Sequence, residues 1–124
     1  MLSLAGSLRV FVCAQPADMR RSFDGLCGMV EQIVQEDPLS GHLFVFRNRN
    51  RDRLKILYWD RDGLAIWYKR LEAGTWQLPT DVRAREGDEV SAEISAEELS
   101  LLLGGIDLRT VARRRRYQRP GKSR

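Results

Sequence analysis

Hydrophobic and polar positions first alternate, then lengthen their period. In "SLRVFVC", Leu8, Val10 and Val12 alternate with Arg9, Phe11 and Cys13, and Pro16 follows; a period of two predicts a half-buried strand closed by the proline. From Ser22 onward, Phe23, Leu26, Cys27, Val30, Ile33 and Val34 recur at steps of three and four, which lays one apolar stripe along an amphipathic helix. Ser22, or Asp18 through a preceding turn, is placed to cap its first amides, and Pro38 stops it. Inside a helix Gly25 and Gly28 each cost about 1 kcal/mol against alanine, so their presence predicts close packing against a neighbour.

Residues 41–72 change character again. Three apolar segments, "HLFVF", "RLKILYW" and "LAIWYKR", are separated by "RNRNRD" and "DRDG", clusters of the residue types that favour turns. The pattern predicts an antiparallel meander. Leu54, Ile56 and Tyr58 share one face of the second segment, while Lys55, Leu57 and Trp59 share the other; in the third, Leu64, Ile66 and Tyr68 oppose Ala65, Trp67 and Lys69. Large apolar groups on both faces require a sheet covered on both sides, or one that leaves an aromatic face to a partner.

Beyond Trp76 and Pro79 the chain turns polar. "EVSAEI" suits a short strand, "SAEE" at residues 95–98 is a capping box, and Ala96, Leu99, Leu102, Leu103 and Ile106 follow at helical spacing until Gly104 and Gly105. The fold class expected is therefore α+β: an antiparallel meander sheet of four to six strands, one amphipathic helix packed on it, and a short C-terminal helix. This single domain covers residues 1–108. Residues 109–124 hold eight Lys or Arg and no acid, and bury too little to offset their ordering entropy, which predicts a flexible basic tail.

Charge sharpens that division. The net +4 of the 124-residue chain conceals thirteen bases against seventeen acids in residues 1–108, a body of −4 carrying a tail of +8. Hydrophobic residues at 43% and charged ones at 31% are those of a globular domain. The chain has no apolar run of about 18 residues and no basic start leading into a long apolar stretch, so the expectation is a soluble, unexported, cytoplasmic protein with no membrane contact. Cys13 and Cys27 lie fourteen positions apart outside any CxxC pair, which suits a reducing compartment. With His42 they supply three nitrogen or sulfur ligands where structural zinc takes about four. No metal or cofactor is expected.

Acid–base or two-metal chemistry would draw on Asp18, Asp24, Asp60 and Asp62. Asp60 and Asp62 are ordinary hairpin-turn residues and Asp18 stands where a cap belongs, so a structural role is preferred. No GxSxG elbow or phosphate-binding GxxxxGK loop is present, and the protein is not expected to be an enzyme. Nucleic-acid binding has two candidate sources. Arg47, Arg49, Arg51, Arg53 and Lys55 alternate through a hairpin able to offer them on a common edge to phosphates; neutralisation by Asp52, Asp60 and Asp62 is the equal alternative. In the tail, Arg113, Arg114, Arg115, Arg116 and Arg119 form an unopposed run beside Tyr117, with a solubilising tail as the alternative. Trp59, Trp67 and Tyr68 are candidates for contact with a protein partner, against simple core roles.

Four blocks, "DMRRSFDGL", "DPLSGHLFVFRNR", "LKILYWDRDGLAIWYKRLEAGTWQLP" and "LSLLLGGID", together resemble the small accessory protein, often called TnpB, encoded beside the transposase in bacterial insertion sequences of family sixty-six. It is distinct from the RNA-guided nuclease that shares the label. The likeness spans residues 8–108. Asp18, Arg20, Phe23, Asp24 and Gly25 match the first block, Gly41 and His42 the second, and Asp60, Lys69 and Arg70 the third; Ser22 departs from the glycine frequent there. The resemblance implies a helper of a separate DDE-type transposase in DNA transposition. It implies a process without a mechanism, and leaves oligomeric state open. Joined to the residue pattern, it suggests a non-catalytic module that holds DNA, the transposase or both; the alternative is a protein adaptor with no DNA contact. Arg20 and Asp24, four positions apart, are expected to pair along the helix.

Overall fold

The computed structural model describes residues 8–81 and 91–104, and the backbone of 82–83, 106–107 and 112–113. In chain order it contains β1 (Val10–Val12), α1 (Phe23–Met29) running into a π-helical turn (Val30–Val34), β2 (Leu43–Arg47), β3 (Arg53–Asp60), β4 (Gly63–Arg70), α2 (Thr80–Arg83), β5 (Ala92–Ile94), α3 (Ala96–Leu103), β6 (Ile106–Asp107) and β7 (Ala112–Arg113). Five strands form one sheet in the order β4-β3-β2-β1-β5, and β6 and β7 form a separate ladder. This is the α+β class that the hydrophobic pattern predicts.

The meander holds for β2, β3 and β4, which pair antiparallel in sequence order. β1 departs from it. It pairs parallel to β2, Val10 with Leu43 through Val12 with Val45, and antiparallel to β5 on its other edge. Parallel neighbours need a crossover, and α1 with its π turn supplies it. β1 is consequently an interior strand, all three of its residues buried, rather than the half-buried strand expected from alternation.

Both sheet faces are covered. One carries Phe11, Phe44, Phe46 and Leu57 beneath Leu26, Met29 and Val30 of the helix. The other carries Val10, Val12, Val45 and Ile56 beneath Leu71, Trp76 and Leu78 of the segment after β4, together with Leu99 and Leu102 of α3. This double cover explains the apolar groups on alternate positions of β3 and β4.

The helix departs in detail from its expected form. Ser22 stands at the N-cap without a side-chain cap bond; Asp18 instead closes the preceding turn, Oδ1 accepting from the Arg20 amide at 2.9 Å. Phe23, first in the expected stripe, is 42% exposed, while Met29 is buried in its place. Of the two helix glycines, a Cβ on Gly25 would meet the Arg21 side chain at 3.1 Å, whereas one on Gly28 would meet nothing within 4 Å. Close packing accounts for Gly25 only. The π turn ends at Gln35, whose φ of 61° reverses the chain ahead of Pro38.

At α3 the capping box forms as expected: Ser95 Oγ accepts from the Glu98 amide at 3.0 Å and Glu98 Oε1 from the Ser95 amide at 2.9 Å. Ser95→Ala is expected to cost about 1 kcal/mol, measured as a lower urea midpoint at unchanged denaturant slope. The division expected between residues 108 and 109 falls between β6 and β7. Arg113 is described by its β7 backbone alone, and Arg114, Arg115, Arg116 and Arg119 lie outside the described residues.

Candidate functional site

The arginine-rich turn between β2 and β3 is fixed by its own side chains. Asn48 Oδ1 accepts from the Arg53 amide at 3.0 Å and its Nδ2 donates to Asp52 Oδ1 at 2.7 Å. The backbone closes the turn from Asn48 N to Arg53 O and from Arg51 N to Asn48 O, with Arg51 in the left-handed region at φ 66°. Asn and Asp suit this geometry because a short polar side chain replaces backbone partners in a tight turn. From behind, the segment after β4 clamps it: Leu71 N donates to Asp52 O at 2.8 Å and Trp76 N to Arg51 O at 2.7 Å.

The five hairpin cations do not share one edge. Arg47 lies on the Trp76 face, its side chain 9% exposed and paired with Asp81, with Nη1 also donating to Trp76 O at 2.8 Å. Lys55 lies on the opposite face, 7% exposed. Its Nζ donates to Met19 O and Arg21 O, each at 2.8 Å, and stands 4.7 Å from the Tyr68 ring centroid. These two are corrected from phosphate ligands to internal ties: burying a cation requires an anion or carbonyl partner, and both have found theirs. Neutralisation comes from Asp81, not from the Asp52, Asp60 and Asp62 weighed on sequence grounds. Arg51 stands 4.0 Å from Asp81 and keeps half its side chain exposed. Arg49 is exposed and ion-pairs with no described residue, and Arg53 Nη1 reaches the Tyr68 hydroxyl at 3.4 Å. Three hairpin arginines therefore face outward.

Beside them opens a cavity of about 650 Å³, bounded by residues 15–21, by the π turn and by the hairpin tip. Lys55 shapes its near wall by holding the Met19 and Arg21 carbonyls. Arg21, Arg49 and Arg53 line it with Asp18 and Asp52. Both carboxylates are already occupied. Asp52 takes the Asn48 amide, and Arg20 grips Asp18 through Nε at 3.1 Å and Nη2 at 2.6 Å. The Arg20 side chain and amide hold the Asp18 carboxyl down at about 2. Arg20 thus pairs with Asp18 and not with Asp24 as helical spacing suggested. Net positive charge remains inside the cavity.

The other family-motif residues build turns and edges. Gly41 has φ 90°, a conformation strained for any residue with a Cβ. His42 Nδ1 accepts from the Arg9 amide at 3.0 Å, which places the lone histidine in strand attachment. Asp60 begins the turn at the far end of β3 from the cavity, where Asp62 N donates to Asp60 O. Arg70 pairs with Glu72 at 2.8 Å, and Lys69 Nζ stands 6.0 Å from the Trp76 ring centroid. No group of three or more metal-ligating side chains gathers among the described residues. None of the described helices is long and apolar enough to cross a membrane.

The aromatic candidates do not form one patch. Trp67 packs edge-on against buried Trp76, ring centroids 6.4 Å apart. Trp59 is half-buried opposite Leu64 near the β3–β4 turn. Tyr68 alone is well exposed, at 47%, on the edge strand β4. Residues the sequence left unremarked are Arg21, Gln32 and Asn50 on the cavity wall and Asp81 behind the hairpin. Arg21 had a visible signal in the doubled arginine of "DMRR". Gln32 reaches the wall from the π turn, which a 3.6-residue period does not reveal.

Two Sinorhizobium fredii proteins resemble the chain closely. The protein y4jC is 37% identical over 122 residues, 98% of each chain, and y4hO is 37% identical over 109 residues, 88% of this chain and 90% of the relative. No solved structure matches significantly. The family described as IS66 Orf2 like protein matches residues 8–113, from β1 through β7, and the chain belongs to this family of insertion-sequence accessory proteins, associated with transposition.

Proposed function

We propose that this accessory protein is non-catalytic and holds DNA through the outward arginines of the β2–β3 hairpin, Arg49, Arg51 and Arg53, reinforced by Arg113, Arg114, Arg115, Arg116 and Arg119, beside the element's transposase. The observation that carries the proposal is a rigid turn, bonded by Asn48 and Asp52 and clamped by residues 71–76, whose tip cation Arg49 ion-pairs with no described residue. Rigid presentation lowers the entropy lost when such side chains meet phosphates. The contact is largely with the DNA backbone and carries little sequence information.

Filter binding of the intact protein to element-end and random duplexes across a salt series tests it. Both duplexes should bind within severalfold of each other, with a log–log salt slope near about −5 if some six phosphates are met. Replacing Arg49, Arg51 and Arg53 together with Gln should make the slope shallower by about 0.9 per contact removed, and the same holds for Gln at the five tail arginines. Absence of binding by the intact chain at low salt sinks the DNA half.

Tyr68, exposed beside Lys69 and Arg70 on an eight-residue edge strand, favours a second reading as a protein adaptor of the transposition complex. Its mark is co-purification with the transposase that survives nuclease treatment and is lost in Tyr68→Ala while duplex binding is retained, which separates the loss from any disturbance of Arg53 and Lys55, both of which Tyr68 touches. Trp67 is a poorer probe, because its replacement also disturbs Trp76.

A further inference from the structure

The cavity beside the hairpin is more than a cationic surface. Its wall includes four amide side chains; Asn48 is engaged within the turn, while Gln15, Gln32 and Asn50 are each exposed and none is hydrogen-bonded through its amide to a described residue. Arg21 and Arg49 stand with them, exposed and without an ion pair to any described residue. Met29, buried, and Ile33, half-buried, add an apolar patch to its largely polar lining.

We propose that this cavity receives a single unpaired nucleotide of a DNA strand, a specific site within the DNA contact proposed above, on which it rests. Three features converge. Primary amides are the side chains that meet the donor–acceptor edges of a base, as Asn and Gln do with adenine. Guanidinium groups bind phosphate and also stack on a splayed-out base. The apolar patch of Met29 and Ile33 gives a base face what water does not. At about 650 Å³ the cavity falls within the range of small-ligand sites, roughly 300–1,000 Å³. The lining comes from the hairpin tip on one side and the helix on the other, an arrangement that suits a base displaced from the stack. The wall that bears Gln32 and Ile33 is the π turn Val30–Val34, a rare local widening that recurs at functional sites. An acidic peptide would satisfy the guanidinium groups and meet the amides through its backbone, but acidic side chains bring no flat apolar face to Met29 and Ile33.

The test compares full-length protein on three labelled probes at one salt concentration: a blunt duplex, the same duplex with a short unpaired overhang, and that overhang with abasic sugars in place of its nucleosides. Fluorescence anisotropy should give about tenfold tighter binding to the overhang probe than to the blunt one, with the gain lost on the abasic probe. Gln32→Ala with Asn50→Ala should abolish the gain while leaving blunt binding unchanged, which also reports that the variant is folded. Equal affinity for blunt and overhang probes overturns the proposal, as does a gain that survives abasic substitution. Displacement of the overhang by a free deoxynucleoside monophosphate as effectively as by a strand would assign the cavity to free nucleotide and overturn the strand assignment. Displacement by a poly-glutamate peptide as effective as by DNA would assign it to an acidic peptide and likewise overturn it. No binding to any probe at low salt marks failure of the underlying DNA contact instead.

Discussion

Trp76→Ala is expected to destabilise the protein by about 3–5 kcal/mol, the range for truncating a large buried aromatic. Trp76 is fully buried beneath the sheet, in one cluster with Val45, Ile56 and Leu99. Its ring meets Trp67 edge-on and lies under Lys69. Collapse into the space is limited, because β2 and β3, which carry Val45 and Ile56, are held on both edges by β-ladders. The main chain of the same residue also fixes the arginine turn: its amide donates to Arg51 O and its carbonyl accepts from Arg47. A domain of this size has about 5–15 kcal/mol of stability, so the variant should unfold at a much lower urea midpoint, measured by circular dichroism. Trp76→Phe keeps an aromatic filler and should lose less. Equal losses for Ala and Phe would show that cavity formation is not the cause.

Much of the fold is legible in local pattern, and its departures share one origin. Alternation in residues 54–59 and 64–69 identifies β3 and β4 and even their faces, since Ile56 with Trp67 and Leu57 with Ile66 are cross-strand pairs. The capping box identifies the start of α3 to the residue, while Ile106, read into its stripe, lies in β6. Alternation misjudges β1 because Arg9, just outside it, is a solvent-facing residue, half exposed in its pair with Glu93 at 2.7 Å, whereas Val10–Val12 themselves are covered on both faces. A short strand between two neighbours is defined by partners distant in sequence, which periodicity does not encode. The π turn is invisible for a related reason: it is a change of backbone hydrogen bonding over Val30–Val34, and a stripe of six apolar positions is too short to show where the period changes.

The site was legible as composition and not as geometry. "RNRNRD" announces a cationic turn, and Asn48 and Asp52 serve it as their side-chain chemistry suggests. Alternation placed Arg47 and Lys55 with the other cations, yet a strand sends neighbours to opposite faces, and each of these two found a buried partner there. Those partners, Asp81 and the carbonyls of residues 19 and 21, are 34 to 36 positions away. No spacing rule links them. The cavity likewise joins the "DMRR" turn to the arginine hairpin, two blocks that resemblance identified separately and only the fold makes neighbours.

Asp81 gives the sharpest test of the hairpin's inner anchor. Asp81→Ala leaves the Arg47 guanidinium, 9% exposed, without the carboxylate that meets it at both nitrogens. An uncompensated buried charge of this kind costs about 3 kcal/mol, at the lower end of the usual range because Asp81 itself retains 13% exposure. The double variant Arg47→Met with Asp81→Leu removes the stranded charge and should cost less than Asp81→Ala alone. Acid supplies an independent check. Burial pushes the Asp81 carboxyl up, but the Arg47 bonds, the Leu78 amide and the charges of Arg47 and Arg51 outweigh it, so the carboxyl lies below its ordinary 3.8. A carboxyl whose folded pKa is depressed contributes its full stability above the unfolded value and loses it as pH falls through the folded one. The stability difference between the parent and Asp81→Asn should therefore be constant near neutrality and shrink as pH drops below about 4. Asp18 and Glu93 are also depressed, but they titrate alike in both proteins and cancel from the difference. A difference that stays level from neutrality to strong acid would show that Asp81 contributes through packing and not through its charge on Arg47.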